Sequence, residues 1–282
     1  MKNKTVQWNV KGGGTIGPSP FLVAGILNVT PDSFYDGGRY VDVHKAIDRA
    51  GTLLEQGADI IDVGGESTRP FSQKVELSVE LQRVVPMVKK ILERHSHANV
   101  SIDTYKAAVA EESLKAGAVI VNDVSACRYD PDLVRVLCEY RPGYVLMHSQ
   151  GTPESMQKSP EYEDVVSDIK AFFHERLSFL EKQGLPIDRI VLDPGIGFGK
   201  TVEHNLEILT RIQEFLTFGL PLYLGISNKS VWGNFLGLDT DARGTATQVG
   251  VALTSARGVA IHRVHDVGST VSTLKITNRI WS

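Results

Sequence analysis

The sequence predicts a (β/α)8 TIM barrel, and three observations lead to that fold class. Eight short, apolar, β-rich segments occur along the chain, and helical patterns alternate with them. The strand segments are continuously apolar, which is typical of parallel strands that are buried on both faces. The alternation extends over about 250 residues, the usual size of this barrel.

The predicted elements follow one another in a regular order. The eight strand segments end in small or polar residues and lie at 21–29, 58–64, 100–103, 119–124, 144–148, 190–193, 221–227 and 258–265. Helical patterns occur at 43–57, 78–95, 106–117, 131–140, 162–184, 201–219 and 244–258. In the first of these, apolar residues recur at helical spacing until Gly57 ends the pattern.

A doubly wound open sheet is the alternative arrangement of such elements. The first strand–helix unit lacks the G-x-G-x-x-G signature of dinucleotide-binding sheets, which disfavours this alternative. Residues 1–20 precede the repeat, and we expect a short N-terminal strand or hairpin there that closes the bottom of the barrel. Residues 21–282 are predicted to form a single barrel domain.

Composition and charge argue against several classes of function. The 282 residues carry a net charge of −3 and no clustered run of Lys or Arg, which argues against nucleic-acid binding. The two cysteines, Cys127 and Cys138, are too few for a disulfide framework or a metal cluster. There is no N-terminal apolar signal segment and no run of about 18 apolar residues that would span a membrane. We therefore expect a reduced, cytoplasmic protein without a membrane partner.

Polar residues collect at the carboxyl ends of the predicted strands. They are Asn28, the segment 64–68, Asp103, Asn122, Asp123, His148, Asp193, the segment 227–229, Arg263 and His265. In a barrel these ends meet at one rim, where active sites are built. A single Asp in such a position could simply cap the following helix. Polar residues at all eight strand ends are hard to explain by capping, so we expect the active site at this rim.

The residue types at this rim suit a particular kind of ligand. Asp103, Asn122 and Asp193 offer acceptors and an amide donor for the edge of a flat nitrogen heterocycle. Cationic side chains, among them Lys229 and Arg263, suit phosphate or carboxylate groups. Together these residues predict a phosphorylated or pyrophosphorylated heterocycle as substrate.

Successive side chains of a strand point to opposite sides, which predicts which residues near the rim face the barrel interior and which face the helices. Asp123 and His262 alternate with Asn122 and Arg263, so they should face the helices. We expect Asp123 to brace a loop and His262 to be structural. His148 either contacts a ligand or is held by protein groups.

Motifs at these strand ends are similar, in order, to those of dihydropteroate synthases. They are GILNVTPDSFYDGG (25–38), DIIDVGGESTRP (59–70), SIDT (101–104), NDVSA (122–126), MHSQGTPESMQ (147–157), LDPGIGFGK (192–200), GISNKS (225–230) and RVHDV (263–267). The chain therefore resembles this family over nearly its whole length.

The resemblance implies a reaction. Enzymes of this family condense 6-hydroxymethyl-7,8-dihydropterin pyrophosphate with 4-aminobenzoate, with Mg²⁺ assisting, and give 7,8-dihydropteroate and pyrophosphate. This step of folate biosynthesis is the one that sulfonamides block. By the same resemblance we expect a homodimer formed through the outer helices of the C-terminal half.

The resemblance also implies roles for individual residues. The pterin is expected at Asp103, Asn122, Asp193, Lys229 and Arg263. The 4-aminobenzoate is expected at Thr68, Arg69, Pro70, Phe198 and Ser227. The pyrophosphate is expected at Asn28, Arg69, Arg263 and His265, and Mg²⁺ at Asn28 and Asp36. The expected catalytic residues are Asp103, Lys229, Arg263 and His265, with Asp103 stabilising positive charge that develops at the pterin methylene.

The stretch DPGIGFGKT (193–201) nearly matches a nucleotide-binding loop, because its last three residues fit the G-K-[ST] end of that pattern. Pro194 stands where the first Gly is required, so we interpret the stretch as a loop at the rim of the barrel in which Asp193 is the ligand-binding residue. Its glycines are expected to bring Phe198 and Lys200 toward the second substrate.

Three positions depart from the usual family pattern. Asn228 stands where the family has Arg, which removes a cation near the 4-aminobenzoate end. Tyr35 replaces a usual Ser, and Ser149 replaces a usual Met. Two other functions stay open at this point. One is a pterin-binding methyltransferase on the same barrel that moves a methyl group from a tetrahydrofolate to a corrinoid, and the other is a pterin-binding paralogue without catalytic activity.

Overall fold

The structure, a computed structural model, describes residues 5–29, 39–67, 72, 74–151 and 160–281, with only the backbone described for 39–42. Within these ranges the strands are β1 (Val6–Asn9), β2 (Thr15–Ser19), β3 (Leu22–Asn28), β4 (Ile60–Gly64), β5 (Asn99–Asp103), β6 (Ile120–Asp123), β7 (Gly143–Met147), β8 (Ile190–Asp193), β9 (Tyr223–Leu224) and β10 (Ile261–Val264). The helices are α1 (Arg39–Glu55), α2 (Leu77–Arg94), α3 (Ala107–Lys115), α4 (Leu133–Tyr140), α5 (Val165–Gln183), α6 (Val202–Thr210), α7 (Ser230–Leu236), α8 (Gly244–Ala256) and α9 (Val267–Trp281). None of the helices just named has both the length and the apolar character that a bilayer-spanning segment needs.

The strands β3 to β10 form a parallel barrel. They are hydrogen-bonded in the order β8–β7–β6–β5–β4–β3–β10–β9. The two edges meet through a parallel bridge between Leu192 and Leu222, where the Leu192 amide donates to the Pro221 carbonyl at 3.0 Å. The predicted (β/α)8 barrel is confirmed, and each of its strands falls within or overlaps a predicted segment.

An N-terminal hairpin fills the bottom of the barrel, as predicted. β1 and β2 pair antiparallel, and their inward residues Val6, Trp8 and Ile16 are buried in one cluster with inward residues of the barrel strands. The indole Nε1 of Trp8 donates to the carbonyl of Arg189 at 2.8 Å. This apolar plug keeps water out of the lower half of the barrel, so polar side chains are confined to the opposite mouth.

The elements differ from the predicted pattern in the C-terminal half. Two helices, α7 and α9, were not predicted. α9 is rich in Thr and Ser, whose local hydrogen bonds weaken the helical signal; Thr270 and Thr273 donate to carbonyls four residues earlier, at 2.7 Å and 2.9 Å. β9 is shorter than the segment predicted at 221–227, because the chain turns there and Asn228 adopts a left-handed conformation with φ 55°.

Candidate active site

Strand register brings the polar side chains at the mouth of the barrel together. Asn28, Gly64, Asp103 and Asn122 are paired neighbours across β3, β4, β5 and β6. Paired residues of parallel strands point to the same face, which here is the barrel interior. A Cβ on Gly64 would lie 3.5 Å from Asn28 Oδ1 and 3.6 Å from Asp103 Oδ2, so the missing side chain leaves a gap between these groups. The site predicted around Asp103 and Asn122 is therefore assembled in the fold.

The Arg263 guanidinium lies between two buried carboxylates. Its Nε is 2.6 Å from Asp62 Oδ2, and its Nη2 is 2.7 Å from Asp103 Oδ2. The amide of Asn122 donates to Asp62 Oδ2 at 3.0 Å. Asp62 is fully buried and Asp103 nearly so. Two charge-assisted contacts at different nitrogens fix the plane of the guanidinium as well as its position.

Asp62 is the site residue that the sequence reasoning missed. It lies in the middle of β4 rather than at its end, so a search for polar residues at strand ends passes over it. The available signal was a carboxylate inside an otherwise apolar strand, because buried Asp is rare unless it is paired.

Two buried carboxylate oxygens of the site have no hydrogen-bond partner among the described residues. Asp62 Oδ1 and Asp103 Oδ1 are buried and accept no hydrogen bond within the described part of the chain. Asp193, which pairs with Met147 across β7 and β8, uses Oδ1 to accept the Gly195 amide at 2.7 Å. Buried acceptors of this kind are normally satisfied, so these oxygens point to a ligand that carries N–H donors.

Burial controls the charge of these groups. Removal from water raises the pKa of Asp103 to about 7, the Arg263 charge opposes this rise, and the Asp62 charge adds to it. Burial also raises the pKa of Asp193, against the attraction of Lys229. The same removal from water lowers the pKa of Lys229 to about 8, against the attraction of Asp193. The protonation state of each of these groups therefore depends on the charges of its neighbours.

The loop after β8 places Phe198, expected for the second substrate, beside Lys229, which follows β9 and is expected to contact the pterin. The Lys229 ammonium lies 4.6 Å from the centre of the Phe198 ring and donates to the Ile196 carbonyl. Phe198 packs against a small cluster that includes Met147 and Tyr105. Lys200, in contrast, is buried and faces His148 rather than open space.

The loop does not act as a nucleotide-binding loop. Its amides at Gly195 and Gly197 are already bonded to Asp193 and Asn205 side chains, so they are not free to surround a phosphate. Thr201 caps α6, which begins at the next residue.

A second cluster links β10 to the turn after β9. Ser227 Oγ and His265 Nδ1 share a hydrogen bond of 2.9 Å, and the His265 amide donates to the same Oγ at 3.2 Å. Ser227 is buried, so its hydroxyl orients His265. Both residues were predicted for the site, and the structure joins them to each other.

Other polar residues near the site have structural contacts. Asp123 accepts from the Ser125 and Cys127 amides at 2.7 Å and 2.6 Å and braces that loop, as predicted. His262 pairs with Val23 and Leu224, which pack in the apolar cluster shared with the helices, so its predicted orientation toward the helices is confirmed. His148 is held by Lys200 at 3.0 Å, the structural alternative of the two considered.

Four predicted site residues, Asp36, Thr68, Arg69 and Pro70, lie outside the described residues. Glu66, two residues before Thr68 in the sequence, is held by two side chains. Its carboxylate accepts from Lys106 Nζ at 2.6 Å and from the Tyr105 hydroxyl at 2.9 Å.

Comparisons with known proteins agree with this geometry. The family model described as pterin binding enzyme matches residues 24–265. The dihydropteroate synthase of Escherichia coli (strain K12) is 41% identical over 260 residues, covering 92% of this chain and 92% of that protein. The crystal structure of the Yersinia pestis dihydropteroate synthase with a sulfonamide drug superposes with a TM-score of 0.91 at 38% identity, covering 98% of this chain and 99% of that one. The structure of the Xanthomonas albilineans enzyme with 4-aminobenzoic acid also superposes with a TM-score of 0.91, at 34% identity, covering 99% of both chains. The chain belongs to the dihydropteroate synthase family.

Membership of the dihydropteroate synthase family confirms the resemblance seen in the motifs. The matched region, 24–265, begins in β3 and ends one residue beyond β10, so it includes every described polar residue of the barrel mouth. The methyltransferase alternative gains no support, since the relatives compared above carry the synthase name.

The Asp103 carboxyl is expected to titrate near pH 7 in the ligand-free protein, far above the ordinary value of 3.8. Carbon-13 NMR of labelled aspartate carboxyls measures this, with Asp103→Asn identifying the resonance. Because the Asp62 charge raises the Asp103 pKa and the Arg263 charge lowers it, Asp62→Asn should lower that pKa and Arg263→Gln should raise it.

The raised pKa of Asp103 also makes the stability of the fold depend on pH. Between about pH 4 and pH 7 the folded protein keeps a proton on Asp103 that the unfolded chain has released, so this proton favours folding. The contribution is fully present below about pH 4 and is lost as the pH rises to about 7. An Asp103 resonance that titrates near pH 4 and does not move in either variant would contradict the burial account.

Proposed function

We propose that the protein is a dihydropteroate synthase, which joins the methylene carbon of 6-hydroxymethyl-7,8-dihydropterin pyrophosphate to the amino nitrogen of 4-aminobenzoate. One observation carries the proposal: carboxylate oxygens of Asp62 and Asp103 that have no partner in the described part of the chain lie beside Asn122 and Arg263 in a barrel mouth. A flat ring with N–H donors on one edge would satisfy those oxygens.

The pterin binds through its hydrogen-bonding edge. Asp193 has a carboxylate that accepts from two adjacent donors, such as an exocyclic amine and a ring N–H. Asn122 offers both a donor and an acceptor to the same ring. The Arg263 guanidinium, held flat by its two carboxylates, stacks on the ring face.

The reaction breaks the bond between the pterin methylene and the pyrophosphate oxygen, and pyrophosphate leaves with the electron pair. A bond forms from the same carbon to the arylamine nitrogen, which then releases a proton. Positive charge grows on the methylene as the leaving group departs. The cluster of Asp62, Arg263 and Asp103 has one more negative than positive charge when both acids are ionised. Ionised Asp103 therefore stabilises the developing cation, and does so strongly because the cluster is shielded from water.

The pyrophosphate binds near His265, Arg263 and Asn28, together with Arg69 outside the described residues. Asn28 contributes an amide oxygen at the end of β3 beside the gap at Gly64. Such an oxygen fits Mg²⁺, an ion that takes few protein ligands and completes its shell with waters and substrate phosphates. Within the described residues no three acidic, His or Cys side chains gather into a metal site, so the ion would rest on Asn28, with Asp36 as the second expected ligand. When bound, Mg²⁺ neutralises charge on the leaving group.

The 4-aminobenzoate binds on the Phe198 and Lys229 side of the mouth. Its ring packs on Phe198, and Lys229 closes the space between the two substrates. Ser227 borders the same region, and Thr68, Arg69 and Pro70 complete it from outside the described residues. Asn228 supplies no cation here, but its left-handed φ of 55° suits Asn better than most residues.

Pyrophosphate release should require both dihydropterin pyrophosphate and 4-aminobenzoate. Asp193→Ala and Lys229→Ala should each lower kcat/KM by about 100-fold, because each removes a charged contact that is buried in the complex. A coupled pyrophosphate assay measures this. The exposed residues Asp241 and Lys275 provide matched controls, and their Ala variants should retain full activity. Tight pterin binding without any pyrophosphate release by the wild type would refute the proposed function.

We also propose that the protein works as a cytoplasmic homodimer. Apolar side chains on α8 and α9 are exposed in a row on the C-terminal half: Val249, Leu253, Ile276 and Ile280. The two helices are joined by Gln248, which bonds the side chains of Thr270 and Thr273. An exposed apolar row of this kind is typical of a subunit interface. Cys127 and Cys138 are both free thiols, in keeping with a reducing compartment.

The double variant Leu253→Lys, Ile276→Lys should be monomeric, since it would bury two unpaired charges at the interface. Light scattering coupled to size exclusion gives the mass. Leu77→Lys places the same charge on an exposed leucine of α2 and should leave the dimer intact. A wild type that remains monomeric at micromolar concentration would rule out the dimer.

A further inference from the structure

The loop 194–200 is held in place mainly by side chains. The Asn205 side chain accepts from the Gly197 amide at 2.7 Å. The Tyr162 hydroxyl donates to the Gly199 carbonyl at 2.8 Å. Backbone groups in this loop thus depend on particular side chains, and each of those side chains can be removed separately.

Lys200 makes the most deeply buried of these contacts. The residue is 3% exposed, and its Nζ lies 2.9 Å from the Phe198 carbonyl and 3.0 Å from His148 Nδ1. His148 directly follows β7, so one amino group links the loops after β7 and β8. These loops approach so closely that a Cβ on Gly195 would fall 1.9 Å from the His148 carbonyl oxygen.

A lysine in this position is costly for the fold. Burial lowers the pKa of Lys200 well below its ordinary value, and the Lys229 charge adds to that effect, while Asp193 opposes it. Burial likewise lowers the pKa of His148, and its Nδ1 shares a hydrogen bond with Lys200 Nζ. An apolar side chain of similar length would fill the same space without this cost. Packing alone therefore does not account for Lys200.

The contact to Phe198 explains what the buried amino group achieves. With its carbonyl held by Lys200, the Phe198 backbone keeps one orientation, and its ring stays between the Lys229 ammonium and the cluster of Tyr105 and Met147. The aromatic ring therefore presents a fixed surface at the mouth of the barrel.

We propose that Lys200 is a positioning residue for the arylamine substrate. Its amino group donates to the Phe198 carbonyl and thereby fixes the ring on which 4-aminobenzoate packs. Lys200 does not touch either substrate. The inference rests on the proposed function, and it adds a residue that controls how tightly 4-aminobenzoate binds.

A double-mutant cycle tests whether Lys200 acts through Phe198. Lys200→Met and Phe198→Ala should each raise the KM for 4-aminobenzoate about tenfold, and the double variant should raise it little further. The KM for dihydropterin pyrophosphate and kcat should change less than about threefold in Lys200→Met. Tyr162→Phe removes a different contact of the same loop and should leave both KM values close to those of the wild type.

Two outcomes would overturn the proposal. Effects on the KM for 4-aminobenzoate that multiply in the double variant would show that Lys200 does not act through Phe198. Equal changes in the KM of both substrates in Lys200→Met would show a general structural role. If Lys200→Met does not fold, Lys200→Gln, which keeps a polar end, enters the same cycle. A wild type that releases no pyrophosphate refutes the proposed function, whereas an active wild type with multiplying effects refutes this inference alone.

Discussion

The position of Arg263 between Asp62 and Asp103 is the constraint on which the rest of the site depends. Each of these groups alone would be costly to bury, but the guanidinium is held at 2.6 Å and 2.7 Å by the two carboxylates and offsets their desolvation. The arrangement leaves one acid in excess. Burial raises the pKa of Asp103, the Arg263 charge opposes this rise and the Asp62 charge adds to it. A developing cation at the pterin methylene would neutralise the excess negative charge.

The barrel supplies the conditions for this cluster. Below it, the N-terminal hairpin packs against the inward apolar residues of the barrel strands. The Trp8 indole of this hairpin donates to the carbonyl of Arg189, just before β8. Above it, strand register sets Asn28, Asp103 and Asn122 beside one another. Electrostatic interactions are strong at such a boundary, because the protein side has a low dielectric constant and the dipoles are already oriented.

Most of the fold and much of the site could be predicted from the sequence, for identifiable reasons. Parallel strands buried on both faces are continuously apolar, and their ends meet at one rim, so Asp103, Asn122 and Asp193 could be found from position alone. Asp62 could not, since it lies inside a strand and its importance depends on Arg263, 201 residues later in the chain. The role of Lys200 was likewise not predicted, because the motif suggested a residue that reaches toward the second substrate, whereas its contacts are with His148 and the Phe198 backbone. The helix α9 was missed because Thr and Ser obscured its periodicity.

The activity of Asp62→Asn tests the central claim most directly. Asp62 is fully buried, and the substitution keeps its shape while removing its charge from the Arg263 guanidinium. If the buried ion cluster organises the site, kcat/KM for dihydropterin pyrophosphate should fall at least about tenfold, with the fold intact by circular dichroism. A folded Asp62→Asn variant with wild-type kcat/KM would contradict the account, since it would show that the site does not depend on this interaction.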